Sequence, residues 1–140
     1  MNKSTLIRFG VSIEDSLIRR FDGHIRGRKY RNRSEAIRDL IRDDLVREEW
    51  GGAKEVAGAV VFVYDHHQRS LSDRLTDLQH DLRLVIVSTQ HTHLDHDNCL
   101  EVITVRGNAG KVRELFDGIR SLKGVKHAEI VRATTGAKPG

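Results

Sequence analysis

Residues 7–13 carry a strict alternation of apolar and polar side chains, which is typical of a β-strand with one buried face. The apolar positions are Ile7, Phe9, Val11 and Ile13, and the polar positions are Arg8, Gly10 and Ser12. No second strand pattern occurs in the first 50 residues. Because a single strand leaves its backbone donors and acceptors without partners, this strand is predicted to pair with the same strand of a second chain.

Two helices are predicted to follow this strand. Ser12 and Asp15 resemble a capping box at the start of the first helix, which is expected to end near Gly27. Asn32 is predicted to cap the second helix, with Glu35 at its third position. One strand and two helices of this length cannot close a hydrophobic core alone, so the N-terminal domain is predicted to be a dimer.

A glycine-rich break at residues 51–54 separates this part of the chain from one with a different pattern. We expect strands at residues 59–64, 84–94, 99–106 and 127–133, with helices at residues 70–81 and 112–122. The order βαββαβ is that of ferredoxin-like folds, including the ACT domains that bind small molecules. The fold class is therefore predicted to be α+β. The predicted domains are residues 1–50, a linker at residues 51–56, and an ACT-like domain at residues 57–140.

Two histidines and the single cysteine of the chain are predicted to meet in a hairpin of the second part. His91 and His93 are two residues apart, so they lie on the same face of a strand. If the loop spans residues 94–98, His93 lies opposite Cys99 and His91 lies opposite Glu101. Imidazoles and a thiolate favour Ni(II), Cu(II) or Zn(II) over Mg(II) or Ca(II), so the pattern predicts a transition-metal site. Glu101 is predicted to accept the free N–H of His91.

His80, near the end of the helix at residues 70–81, is the candidate for a fourth ligand. This helix carries a leucine stripe at residues 71, 75, 78 and 82, which is expected to pack on the core of its own domain. At about 100° per residue, His80 lies about 180° from that stripe. It therefore points either to solvent or to another chain. In the first case it is an ordinary surface histidine, and in the second the metal site is shared between subunits.

Composition narrows the class of protein. The chain has 140 residues and a net charge of +4, and its one cysteine excludes an intrachain disulfide and suits a reducing cytoplasm. We find neither a signal peptide nor a transmembrane run, so a cytoplasmic protein without a membrane partner is predicted. The mild positive charge permits nucleic acid as a partner but does not require it.

The segment at residues 30–39, Tyr-Arg-Asn-Arg-Ser-Glu-Ala-Ile-Arg-Asp, resembles the start of the second helix in ribbon-helix-helix transcription factors. The resemblance implies that the paired strands enter the major groove of operator DNA and that a helix N-terminus holds a phosphate. The residues implied to contact DNA are Arg8, Gly10 and Ser12 on the ribbon and Arg33, Ser34 and Arg38 on the second helix. Double-stranded DNA is therefore the expected partner.

Taken together, the two parts resemble the nickel-responsive repressors from residue 8 to about residue 131. The most specific matches are Asn-Arg-Ser-Glu-Ala-Ile-Arg-Asp at residues 32–39, Ser-Thr-Gln-His-Thr-His at residues 88–93, and Cys-Leu-Glu at residues 99–101. The resemblance implies a tetramer that holds Ni(II) in a square-planar site and represses nickel-uptake genes at a palindromic operator. The implied ligands are His91, His93 and Cys99 of one chain and His80 of another. The residues implied around them are Tyr64, Gln79 and Glu101, and a second, weaker cation is implied at Glu35 and Asp39.

Three other functions compete with this interpretation. The ACT-like domain could sense a small organic ligand or another metal, with the histidines incidental. A metal-dependent hydrolase would need an open coordination position and a general base, whereas four protein ligands leave no open position in their plane. An antitoxin is disfavoured because the second part is too ordered for a toxin-binding tail. We therefore expect a regulator and not an enzyme.

Overall fold

The computed structural model describes residues 5–52 and 54–137, and the chain forms two compact units. The first unit ends at Ile41 and the second begins at Arg42. In chain order the elements are α1 (Asp15–Gly27), α2 (Arg33–Gly51), β1 (Glu55–Asp65), α3 (Arg69–Asp81), β2 (Ile86–His93), β3 (Asn98–Asn108), α4 (Ala109–Ser121) and β4 (Val125–Arg132). A 3-10 turn, Arg83–Val85, precedes β2. None of the described helices is long and apolar enough to cross a membrane.

The first unit contains α1 and the first part of α2, and its described residues form no strand within the single chain. Residues 7–13 are exposed, and no described segment of the chain forms a ladder with them. A strand is defined by hydrogen bonds to a neighbouring strand, and the described residues of one chain provide no such neighbour for residues 7–13. Pairing with the same segment of a second chain therefore stays a prediction.

Of the two predicted helix caps, the one at α2 is confirmed and the one at α1 is wrong. The predicted cap at Ser12 is wrong, because the N-cap residue of α1 is Glu14, and its side chain makes no capping hydrogen bond. At α2, Asn32 Oδ1 accepts the N–H of Glu35 over 2.9 Å, as predicted. The Glu35 carboxylate accepts the N–H of Arg31 over 3.2 Å, so the second half of the capping box closes one residue before the cap.

Much of the apolar surface of the first unit is exposed in the single chain. Its exposed large apolar residues are Leu6, Ile7, Phe9, Val11, Ile13, Leu17, Leu40 and Ile41. By contrast, Ile25 and Ala36 are buried. An exposed apolar surface of this kind is typical of a protein interface. It is the surface that the predicted dimer of N-terminal domains would bury.

The second unit has the predicted βαββαβ order, which confirms the α+β fold class. Its strands form one antiparallel sheet in the order β2-β3-β1-β4. β1 begins at Glu55, inside the segment predicted as a linker, and Ala53 of that segment lies outside the described residues. β2 begins at Ile86, two residues later than predicted, because the 3-10 turn buries Val85 beside Gly107. Gly107 has a φ of 149°, where residues with a side chain are rare.

The core of the second unit lies against one face of the sheet. Because side chains alternate along a strand, every second residue of β1 and β3 points into this core. The buried strand residues are Val56, Val60, Phe62, Tyr64, Cys99, Glu101, Ile103 and Val105. Helices α3 and α4 contribute Leu71, Leu75, Val112, Leu115 and Ile119. Cys99 and Glu101 therefore stand on the covered face of the sheet, together with the β2 residues that pair with them.

Candidate metal centre

The hairpin formed by β2 and β3 has the predicted register. His93 pairs with Cys99, and His91 pairs with Glu101. The sulfur of Cys99 lies 3.3 Å from Nδ1 of His93, and the ring centroids of His91 and His93 are 5.1 Å apart. Cys99 is fully buried, whereas both histidines are exposed at the edge strand. Two imidazoles and one thiol therefore stand together at the tip of the hairpin.

A group of polar side chains surrounds Nδ1 of His91 and fixes the orientation of its ring. The hydroxyl oxygen of Tyr64 lies 3.1 Å from His91 Nδ1, and Oε1 of Glu101 lies 3.9 Å from the same nitrogen. Gln79, on α3, donates a hydrogen bond to the other oxygen of Glu101 over 3.4 Å. Because Nδ1 of His91 faces this group, its Nε2 is the nitrogen left for an ion. Outer partners of this kind hold a ligating imidazole in one orientation.

The electrostatics of the site favour a neutral thiol when no ion is bound. Burial raises the pKa of the Cys99 thiol, and the charges of Glu101 and Asp95 raise it further. Burial also raises the pKa of Glu101, and the charge of His91 offsets part of this increase. Burial, assisted by the Glu101 charge, raises the pKa of Tyr64 to about 12, so its hydroxyl stays protonated. An ion that takes the thiolate as a ligand must displace the thiol proton, so binding is favoured as pH rises.

The donor atoms at the hairpin fit nickel. Sulfur and imidazole nitrogen are donors that Ni(II), Cu(II) and Zn(II) accept, whereas Mg(II) and Ca(II) require oxygen. The carboxylate beside His91, that of Glu101, is only 8% exposed and faces Gln79 and His91, so it is placed to orient a ligand. His91, His93 and Cys99 are thus the residues of one chain that would hold the ion.

One histidine near the site was missed by the sequence prediction. His66 follows β1, and its ring lies 5.3 Å from the ring of His93 in an edge-to-face arrangement. His66, His93 and Cys99 each offer one ligand atom, and these three atoms lie within 4.8 Å of one another. The pairing of Asp65 with Asn98 brings the end of β1 beside the hairpin loop. That long-range register has no local signal, so spacing could not identify His66.

His80 lies in the last turn of α3, where it is exposed. This agrees with the direction predicted from the leucine stripe, since Leu71 and Leu75 of the same helix are buried. Within the described part of the chain, neither His80 nor His91 belongs to a group of three ligand atoms lying within 4.8 Å. A fourth ligand from His80 of another chain therefore stays a prediction.

The residues predicted to contact DNA lie in the first unit. Those on the N-terminal segment, all exposed, are Arg8, Gly10 and Ser12. The guanidinium of Arg33 donates two hydrogen bonds to Asp22, of 2.8 and 2.7 Å, and this pairing holds the pKa of that carboxyl below its usual range. Arg38 donates to the carbonyl oxygen of Ser34 over 3.3 Å. The side chain of Arg33 therefore joins α1 to α2, and its backbone N–H is the better candidate for a phosphate.

Glu35 and Asp39, the carboxylates predicted for a weaker cation, both accept hydrogen bonds. Glu35 accepts the N–H of Arg31 over 3.2 Å, and Asp39 accepts the hydroxyl of Tyr30 over 2.7 Å. A cation at either carboxylate would compete with these bonds. The presence of such a site stays a prediction.

Comparison with known proteins identifies both units. The family model described as the NikR C terminal nickel binding domain matches residues 57–133, and the ribbon-helix-helix protein model of the copG family matches residues 7–48. A Syntrophus aciditrophicus protein that carries the name nickel-responsive regulator is 51% identical over 127 residues, covering 91% of this chain and 93% of its own. A Pyrococcus furiosus protein of the same name is 52% identical over 132 residues, covering 94% and 96%.

A solved structure supports the fold of part of the chain. An uncharacterized protein of Thermotoga maritima has a TM-score of 0.53 and covers 58% of this chain and 100% of its own, at 10% identity. At that identity the likeness shows the fold alone.

A ribbon-helix-helix unit joined to a nickel-binding unit defines a metal-responsive, DNA-binding transcription regulator and not an enzyme. These two relatives are about 50% identical to this chain in sequence and align with more than 90% of it. The chain belongs to the NikR family of nickel-responsive regulators. The predicted family and the predicted absence of enzymatic function are thereby confirmed.

The position of Glu101 beside His91 leads to a first testable prediction. Replacing Glu101 by glutamine keeps the shape of the side chain but removes the charge that faces His91. Nickel affinity is expected to fall by about 10- to 100-fold, as is usual when an outer partner of a metal ligand is removed. Competition titration with a chelator of known affinity measures the change. Glu129→Gln, at an exposed carboxylate on β4, is the matched control, and equal affinities of the two variants would contradict the assigned role.

Proposed function

We propose that this protein is a cytoplasmic nickel sensor that represses nickel-uptake genes by binding a palindromic operator when Ni(II) is present. The ion is held in a square-planar site by His91, His93 and Cys99 of one chain and His80 of another. The observation that carries this proposal is the hairpin register, which sets His93 against the buried Cys99 and His91 against Glu101. Square-planar coordination by nitrogen and sulfur is a geometry that suits Ni(II).

The proposed DNA-binding domain comprises residues 1–50, followed by a linker at residues 51–56 and an ACT-like domain at residues 57–140. Two copies of the N-terminal segment pair as a ribbon, with Arg8, Gly10 and Ser12 directed to base edges. The exposed apolar residues of the first unit support this pairing, because a second copy would cover them. A two-fold axis in the protein requires a matching two-fold axis in the operator.

The proposed assembly is a tetramer, a dimer of dimers joined through the ACT-like domains. The exposed position of His80 supports a site shared between chains, since its own chain directs it away from the buried leucines of α3. Nickel then links the hairpin of one chain to the helix end of another. The link favours arrangements in which both ribbons reach their half-sites. Because such coupling is reciprocal, operator DNA tightens nickel binding by the same factor.

Operator binding by the apo and nickel-loaded protein tests this proposal. We expect Ni(II) to tighten binding to a palindromic operator fragment by roughly 5- to 150-fold, the usual range for coupled sites. Fluorescence anisotropy at fixed salt measures both dissociation constants, because protein–DNA affinity depends on ionic strength. Equal affinities with and without nickel would remove the sensing function.

Arg8 gives a separate test of the DNA-binding face. Replacing Arg8 by alanine is expected to weaken operator binding by about 1–3 kcal/mol, the usual worth of one arginine that reads a base edge. Binding to unrelated DNA should change much less, because specificity is carried by interactions with bases and not with phosphates. Arg113→Ala, at an exposed arginine on α4, removes the same charge away from the ribbon and is the control. A weakening that is equal for operator and unrelated DNA would assign Arg8 to a phosphate.

A further inference from the structure

The loop between β2 and β3 is closed by the carboxylate of Asp95. This carboxylate accepts the backbone N–H groups of Asp97 and Asn98, each over 2.9 Å. The side-chain amide of Asn98 donates to both oxygens of the same carboxylate, each over 3.1 Å. β2 ends at His93, and Asn98 directly precedes Cys99. These hydrogen bonds therefore join the two ends of the loop, and each end adjoins one of the proposed metal ligands.

The same loop is also tied to β4. The side-chain oxygen of Asn98 accepts a hydrogen bond from the ammonium group of Lys126, the second residue of β4. In the sheet, β1 lies between β3 and β4. The bond therefore reaches across the end of β1, where Asp65 pairs with Asn98. One amide group thus donates to Asp95 and accepts from Lys126.

These bonds matter because β2 is poorly held by packing. β2 lies at the edge of the sheet, and every residue of β2 after Ile86 is exposed. Cys99, by contrast, is fully buried in the core. The 3.3 Å distance between Nδ1 of His93 and the sulfur of Cys99 therefore depends on the β2–β3 ladder and on the loop that closes it. A metal site needs its ligands held to within about 0.5 Å, and partners outside the ligand set supply that precision.

We propose that Asp95, Asn98 and Lys126 are positioning residues that hold His93 and Cys99 in place for a planar ion, and so favour Ni(II) over Zn(II). The inference rests on the proposed nickel site, and the three side chains act through the loop without touching the ion. Zn(II) has no geometric preference from its d electrons and is usually tetrahedral, whereas a square of nitrogen and sulfur donors suits Ni(II). A loosened loop would let the donors leave the plane, which costs Ni(II) more than Zn(II).

Replacing Asp95 by alanine in the full chain tests the proposal, because it removes the acceptor that closes the loop. Nickel affinity is expected to fall by about 10- to 100-fold, the usual range for a partner outside the ligand set. Zinc affinity should fall less, so the ratio of the two affinities shifts toward zinc. Competition titration with a chelator measures both ions, and the absorption spectrum reports the planar nickel geometry. Asp117→Ala, at an exposed carboxylate on α4, is the control.

Exchanging the two loop side chains provides a rescue. In the double variant Asp95→Asn, Asn98→Asp, an amide at position 95 can still accept the backbone N–H groups and donate to the carboxylate placed at position 98. That carboxylate can still accept from Lys126. The exchange should restore the nickel preference, whereas Asn98→Ala should lose it as Asp95→Ala does. Lys126→Ala should lose part of it, and His127→Ala, at its exposed neighbour on β4, should lose none.

A ratio of nickel to zinc affinity that is unchanged in both Asp95→Ala and Asn98→Ala would overturn the proposal. So would an equal loss of both ions that the exchange does not recover, because that result would assign the loop a role in folding alone. Either result leaves the thiolate-to-nickel band and the nickel-dependent operator binding of the wild-type protein intact. Failure of this proposal is therefore distinct from failure of the sensor function, which the wild-type protein alone decides.

Discussion

Replacing Cys99 by alanine is expected to abolish the thiolate-to-nickel absorption band and to weaken nickel binding by more than about 100-fold, the upper end of what removal of an outer partner costs. Cys99 is the single cysteine of the chain, and its sulfur lies 3.3 Å from Nδ1 of His93. Removing it leaves two exposed imidazoles on an edge strand. The nickel-dependent increase in operator affinity should disappear in the same variant. Absorption titration with Ni(II) and operator anisotropy measure the two effects.

Because Cys99 is fully buried, its replacement could also disturb the fold. Cys99→Ser keeps the size of the side chain and should lose the band as completely as alanine. Circular dichroism of the apo variants should match the wild type, and His127→Ala should retain full nickel binding. A persistent absorption band in both Cys99 variants would contradict the assignment of the sulfur as a ligand.

Replacing Gly58 by alanine is expected to lower the free energy of unfolding of the second unit by about 1–3 kcal/mol, the usual cost of overpacking a core. Gly58 lies in β1, paired with Val105 on β3 and with Arg132 on β4. An added methyl carbon would clash with the carbonyl oxygen of Val131 and would lie 3.1 Å from the ring of Trp50. The first of these atoms belongs to the backbone, so the strand itself has to move.

Urea unfolding followed by the fluorescence of Trp50 measures this change, because Trp50 is the single tryptophan and is buried in the second unit. Gly118→Ala is the matched control in the same unit. Its added methyl would meet the terminal carbons of Leu78, a flexible side chain that can shift. Its destabilisation should therefore be smaller, and the helical propensity of alanine offsets part of it. Equal midpoints for Gly58→Ala and the wild type would contradict the packing described for β1 and β4.

The hairpin register could be predicted from sequence because two local constraints determine it. Side chains alternate along a strand, and the polar residues between the two apolar runs limit where the loop can lie. Cys99 and His93 therefore had to pair once the loop was placed, and the observed pairing is the predicted one. The order of helices and strands could also be predicted from local sequence, because apolar residues recur with a different period in a helix and in a strand.

The features that sequence reasoning missed depend on packing between distant segments or on the exact residue at which a helix begins or ends. His66 comes beside His93 because β1 pairs with β3, a register set by the whole sheet. The prediction of Ser12 as the cap of α1 is wrong because the helix begins at Asp15, and Glu14 is its N-cap residue. Local propensity predicts neither of these two outcomes.

Mixing two defective chains tests most directly whether the nickel site is shared between subunits. Protein made only of His80→Ala chains, or only of Cys99→Ala chains, should lack a complete set of ligands. In co-expressed mixtures, the intact hairpin of the first variant can meet the intact His80 of the second. We predict that the mixture regains a planar nickel spectrum with its thiolate band, together with part of the nickel-dependent operator binding. A full wild-type spectrum from His80→Ala alone, or no recovery in a mixture shown to contain both chains, would contradict the shared site.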